Sequence, residues 1–148
     1  EIAEILLKEH FKNGADYTSA RDFSVGTSVE IINTSALETV IKHVGKADLS
    51  EYMTWYFQNN SEIFKVNIVD LPPHLVRDYR LTLDYQEDLD MFESLLSNMG
   101  DLPVTTSNIF KTLDENPKIN EINSHLTLTY KVDKKLIAKL DRDTKIKI

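Results

Sequence analysis

Arg80 and Asp84 stand four residues apart in the run RLTLDYQEDLDMF, which spans Arg80–Phe92. A carboxylate so placed can hold a divalent cation against a phosphate. A guanidinium can meet a phosphate or a carboxylate through two parallel hydrogen bonds. Each residue also has a structural reading. Asp84 with Glu87 three residues later matches a capping box, in which the aspartate satisfies the first free amides of a helix. Arg80 can pair with a nearby acid such as Asp78. Glu30 is a third candidate, because it interrupts the apolar run Val29-Ile31-Ile32 and either faces water or meets a ligand. Just upstream, Gly26 lacks a side chain and lets the backbone approach another group closely.

The elements that must position these residues follow from hydrophobic period. Leu81 and Leu83 alternate with Arg80, Thr82 and Asp84, which predicts a strand burying the leucines and presenting the polar three. From Leu89 the period becomes helical, through Phe92, Leu95, Leu96 and Met99, so a helix runs to about Asn98. Asp84 then lies where a strand ends and a helix begins, the place where open α/β sheets bind ligands.

Elsewhere, Glu1 to Asn13 reads as a helix with the stripe Ile2, Ile5, Leu6, Leu7 and Phe11, stopped by Gly14. Asp16–Ser19 reads as a short strand or extended loop, and Val29–Asn33 as a strand. Ser35 with Glu38 predicts a capped helix bearing Ala36, Leu37, Val40, Ile41 and Val44. Asp48 with Glu51 predicts another, whose Tyr52, Trp55, Tyr56 and Phe57 have the spacing of a core face. Phe64, Val66 and Ile68 alternate as a strand that Pro72-Pro73 ends. Val29–Asn33 and residues 65–69 are apolar enough to be central strands. Thr106 to Glu115 reads as a helix ended by Pro117. Leu126 to Val132 alternates as a strand, and Lys134–Leu140 reads as a helix. Strands alternating with helices predict an α/β layered fold.

Composition narrows the function classes. A chain of 148 residues with 41% hydrophobic and 28% charged residues suits one soluble domain with its own core. A net charge of −7 argues against a general nucleic-acid binder. The late basic residues are interrupted by Asp133, Asp141 and Asp143, as on a solvated helix face. With no cysteine there is neither a disulfide frame nor a thiolate metal site, which points to a cytoplasmic location. No apolar run has membrane-spanning length. The four histidines lie too far apart for a zinc motif, and no serine sits in a nucleophile elbow.

Arg80–Leu89 resembles the R-x-T-x-D-x-x-E-D-L segment of cytidylyltransferases of the spore-coat polysaccharide and acylneuraminate type, which transfer CMP from CTP onto a sugar. The resemblance runs through Gly14-Ala15-Asp16-Tyr17-Thr18-Ser19, Phe23-Ser24-Val25-Gly26, Val29-Glu30, Ala36-Leu37 and Glu51-Tyr52-Met53-Thr54. It continues through Glu115-Asn116-Pro117 to Ile122-Asn123, covering most of residues 1–123. The sequence departs from the family at Tyr52 and Met53, where a histidine and a valine are usual. It departs again at Thr82, where acylneuraminate members carry a first aspartate; Asp84 alone is closer to the spore-coat branch.

The resemblance implies a nucleotide-diphospho-sugar transferase-like, Rossmann-like layered sheet with flanking helices. It also implies Mg2+ held by Asp84, and sugar contacts from Gly26, Glu30 and Arg80. Similar enzymes cradle the nucleotide phosphates in a Gly-rich loop, whereas the four glycines here stand alone. Residues 1–123 are therefore expected to be the carboxyl-terminal portion of such a domain and 124–148 a strand-helix tail, the chain alone being inactive and unable to bind CTP. The expected partners are CTP, a sugar and a second copy in a homodimer, with no nucleic acid and no membrane. Two other classes fit the same residues, a non-catalytic α/β interaction module and a glycosyltransferase of related fold.

Overall fold

The structure, a computed structural model, describes residues 1–44, 49–126 and 132–147. In chain order its elements are α1 (Ile2–Asn13), β1 (Tyr17–Arg21), β2 (Ile31–Ile32), α2 (Thr34–Val44), a 3-10 turn (Ser50–Tyr52), α3 (Thr54–Gln58) and β3 (Val66–Asp70). A second 3-10 turn (Pro73–Leu75) follows, then α4 (Gln86–Met99), α5 (Thr106–Glu115), α6 (Pro117–Glu121) and α7 (Lys134–Asp143). The chain divides into two compact units. One, the sheet unit, comprises Ala3–Ser19, Glu30–Val69 and Leu128–Ile148; the other, the helical unit, comprises Glu1–Ile2, Ala20–Val29 and Asp70–Thr127.

In the sheet unit the strand order is β2-β1-β3, and β1 pairs antiparallel with β2 through Tyr17↔Ile32 and Thr18↔Ile31. The segment expected to be only a short strand or loop is thus the middle strand. The two expected to be central flank it, and β2 is just two residues long. Apolar content misled here because β1 buries polar residues whose bonds are met. The first four residues of β1 are buried, and Thr18 Oγ1 lies 2.9 Å from His10 Nδ1. His10 Nε2 meets Asn33 Oδ1 at 3.0 Å, so α1 buries its histidine while Leu7 and Phe11 of the predicted stripe stay exposed.

The core of this unit is Tyr17, Ala36, Val40, Tyr56, Phe57, Phe64 and Ile146. Phe57 stacks on Tyr17 at 5.4 Å and meets Phe64 edge-on at 5.1 Å, so Tyr56 and Phe57 of the predicted core face are core, whereas Tyr52 and Trp55 are only half-buried. The predicted Ser35–Glu38 box does not form. Helix α2 starts at Thr34, two residues earlier than a Ser35 cap requires, with the amides of Ala36 and Leu37 donating to the Asn33 carbonyl. After α7 the chain is stitched in through Asn60, whose amide donates to the Thr144 carbonyl at 2.8 Å and accepts from the Ile146 amide at 2.9 Å.

In the helical unit α4, α5 and α6 enclose Leu81, Met91, Leu95, Met99, Phe110, Leu113 and Ile119. Helix α5 has its predicted bounds, and Pro117 opens α6, where its missing N–H costs nothing. The predicted strand over 80–84 does not form. A single parallel bridge joins Val25 and Arg80, Arg80 turns inward at 6% exposure and Leu83 outward at 61%. The predicted cap at Asp48, the stop at Gly45 and most of the strand from Leu126 to Val132 lie outside the described residues.

Candidate functional site

The candidate site is the connection from the Val25–Arg80 bridge to the first turn of α4. The Val25 amide donates to the Tyr79 carbonyl at 2.9 Å, and the Leu81 amide donates back to the Val25 carbonyl at 2.7 Å. The next residue, Gly26, has φ of 91°, and a Cβ there would fall 1.9 Å from the Leu81 carbonyl oxygen. The close approach that needs glycine is therefore to the Leu81 peptide, and it fixes the segment bearing Arg80 and Asp84.

Beyond that peptide the chain is tied by a buried carboxylate, Asp88, at 0% exposure. Its Oδ1 accepts from Arg80 Nε at 2.8 Å and from Asn123 Nδ2 at 2.9 Å. Its Oδ2 accepts from Arg80 Nη2 at 2.9 Å and from the backbone amides of Asp84 at 2.9 Å and Tyr85 at 3.1 Å. Asp88 reaches back over the start of α4, so the acid that satisfies the free amides is Asp88 and not Asp84. The Arg80 partner is likewise not Asp78. The Arg80 guanidinium beside it, then the two amides and Asn123, hold the Asp88 carboxyl far below the usual carboxylate range despite burial. Asp88 in turn raises the Arg80 pKa.

Asn123 completes the knot. Its Nδ2 also donates to the Arg80 carbonyl at 3.0 Å, so both amide hydrogens face acceptors and its orientation is set. Asn123 Oδ1 and Arg80 Nη1 are buried with no hydrogen-bond partner. The Tyr85 ring lies over the guanidinium, 5.4 Å from its carbon to the ring centroid.

Asp84 sits on the outer side of this knot, its side chain 54% exposed. Its Oδ2 accepts from Arg80 Nη2 at 2.9 Å and more weakly from Thr82 Oγ1 at 3.4 Å. One guanidinium thus faces two carboxylates, leaving one negative charge in excess at the exposed end. Among the described residues no three His, Cys, Asp or Glu side chains form a group able to hold a metal. Mg2+ commonly keeps several waters and takes one or two carboxylates plus substrate phosphates, and the exposed Asp84 carboxylate fits that mode.

The structure brings Gly26, Arg80 and Asp84 into one connected segment of the helical unit. Glu30 belongs to the sheet unit, where its Oε1 accepts from the Tyr17 hydroxyl at 2.7 Å, and Gln58 Nε2 donates to that hydroxyl at 3.0 Å. Burial, and then the hydrogen bond to Glu30, push the Tyr17 hydroxyl well above its ordinary pKa. Sequence reasoning missed Asp88, Asn123 and Tyr17 as members of these clusters. Asp88 left a local signal, a second acid beside Glu87 in the first turn of α4, whereas Tyr17 and Asn123 stood only among the residues of the family resemblance, with nothing to say what they touch.

The fold is a layered α/β arrangement of the nucleotide-sugar transferase-like kind. It matches the structure of a cytidylyltransferase from Leptospira borgpetersenii serovar Hardjo-bovis with a TM-score of 0.61, at 20% identity over 86% of this chain and 54% of that one. In sequence, the chain is 33% identical to an uncharacterized protein of Methanocaldococcus jannaschii, over 85% of this chain and 52% of the relative. It is 28% identical to the spore coat polysaccharide biosynthesis protein SpsF of Bacillus subtilis, over 79% of this chain and 50% of the relative. The chain spans about half the length of the curated relatives it matches. No protein-family model matches it.

Proposed function

We propose that the protein to which this chain belongs is a nucleotidyltransferase that activates a sugar with CTP for surface polysaccharide or glycan synthesis. The observation that carries this reading is the exposed Asp84 carboxylate, anchored by a buried ion pair at the entrance to α4. The cytidylyltransferase fold and the likeness to a spore-coat polysaccharide protein support it. In the reaction a sugar hydroxyl oxygen attacks the α-phosphorus of CTP in line. The bond to the β-phosphate bridging oxygen breaks, pyrophosphate leaves and the hydroxyl proton passes to solvent or a base. Mg2+, when bound, neutralises phosphate charge. Asp84 supplies a carboxylate oxygen to it, and Gly26 holds the Asp84 segment in place. Arg80 enters through Asp84, whose carboxylate it holds. The assembly proposed with this activity is a cytoplasmic homodimer.

The test is pyrophosphate release by the intact protein from CTP and Mg2+ across a panel of sugars. Release that depends on one sugar, and on CTP over other nucleoside triphosphates, is expected. Absence of release with every sugar, together with no binding of CTP, would overturn the reading. Light scattering across a wide concentration range tests the dimer, and a monomer throughout would exclude it.

A further inference from the structure

We infer that Asp88 acts as a positioning residue whose charge keeps Asp84 available to a cation. The inference rests on Asp84 being the metal ligand proposed above. Arg80 is the nearest cation to Asp84, and its Nη2 touches Asp84 Oδ2 and Asp88 Oδ2 at the same 2.9 Å. Alone with Asp84, this guanidinium would neutralise it and repel a divalent ion. Asp88 prevents that by taking the guanidinium side-on, through Nε and Nη2 together. The pair is closed off from water, with side-chain exposures of 5% and 0%, so its neutralisation is little screened by salt. Asp84 makes one contact with the same guanidinium from its exposed side and keeps its charge in excess.

The knot fixes Asp84 in place as well as in charge. The Asp84 amide donates to Asp88 Oδ2, so backbone and side chain of Asp84 are both held by the Arg80–Asp88 pair. Asn123 clamps the pair from behind, bonding the carboxylate of one partner and the carbonyl of the other. Such outer partners of a metal ligand commonly alter affinity by about tenfold to a hundredfold when lost.

The experiment uses the intact protein and measures Mn2+ binding by electron paramagnetic resonance with CTP present, alongside circular dichroism to establish folding. Asp84→Asn is expected to abolish the site, and unchanged Mn2+ binding in that variant would sink the functional reading itself. Asp88→Asn is expected to weaken Mn2+ by roughly tenfold to a hundredfold, because Arg80 then has only Asp84 to pair with. The double variant Asp88→Asn with Arg80→Gln removes both charges and is expected to bind Mn2+ more tightly than Asp88→Asn alone, though short of the wild type because the Arg80 hold on Asp84 is also gone. That rescue is what a merely structural role would not produce. A folded Asp88→Asn protein with wild-type affinity, while Asp84→Asn has lost it, would overturn the inference and leave the metal site standing. Should Asp88→Asn fail to fold, the double variant decides. Mn2+ binding there clearly above that of Asp84→Asn supports charge balance, and binding no better than that of Asp84→Asn overturns it.

Discussion

At the scale of single residues, the two acids that touch Arg80 are expected to separate activity from stability. Asp84 is more than half exposed and makes a surface-type ion pair, worth up to about 1 kcal/mol. Asp84→Asn should therefore shift the urea midpoint little while activity of the intact protein collapses. A variant that turns over normally would remove Asp84 from the metal. Asp88 is the opposite case. Asp88→Ala leaves Arg80 buried without its main partner and strips the amides of Asp84 and Tyr85 of their acceptor. A loss of about 3–5 kcal/mol is expected, the usual result of removing one half of a buried pair. A midpoint shift no larger than that of Asp84→Asn would mean that the knot contributes little. Asp84 could be singled out in the sequence because it stands just before a change of period. Asp88 and Arg80 could not be joined there, since alternation within 80–84 predicted an outward Arg80. A guanidinium turns inward only when an acid, here eight residues on, is folded back to meet it.

Helices were more legible than strands, because a helix satisfies its own backbone and carries local stop and start signals. Helix α5 has its predicted bounds, with the Thr105 hydroxyl accepting from the Asn108 amide at its start. Helix α7 is legible too, although in the sequence Asp133 stands only as an interruption in a basic run. In the structure Asp133 is the N-cap of α7, its Oδ1 accepting from the amides of Lys135 at 2.9 Å and Leu136 at 3.0 Å. Asp133→Ala is expected to destabilise by about 1 kcal/mol, and Asp133→Asn by only a few tenths, since asparagine caps nearly as well. Equal midpoints for the alanine variant and the wild type would dismiss the cap. Strands depend on partners distant in sequence. No local signal said that Tyr17–Arg21 would be flanked by both other strands, because its buried Thr18 depends on His10 from one element and its ladder on Ile31 and Ile32 from another.

At the scale of the whole molecule, ionisation should confine stability to a central pH window. Asp88 and Asp114 have folded pKa values held down, chiefly by hydrogen bonds from Arg80 and Arg77 respectively. A depressed acid contributes stability that is fully present above its unfolded value, about 3.9 for aspartate. That contribution fades as pH falls toward the folded value, because the unfolded chain takes up the proton first. The alkaline side works in reverse. Burial, and then the hydrogen bond to Asp114, push the Tyr79 hydroxyl up to about 12, and Tyr17 is raised by burial and by Glu30. A raised group contributes stability below its unfolded value, about 10 for tyrosine, and loses it as pH climbs through the folded one, because the unfolded chain then releases the proton first. The urea midpoint should be level between roughly pH 5 and 9, fall below about pH 4 and fall again above about pH 10. Tyr79→Phe removes one of the two tyrosines and should flatten the alkaline limb; it should also soften the acid limb slightly, because the Tyr79 hydroxyl helps Arg77 hold the Asp114 carboxyl down, while Asp88 keeps its full share. An alkaline limb unchanged in Tyr79→Phe would mean that the Tyr79–Asp114 hydrogen bond does not set the upper edge of the window.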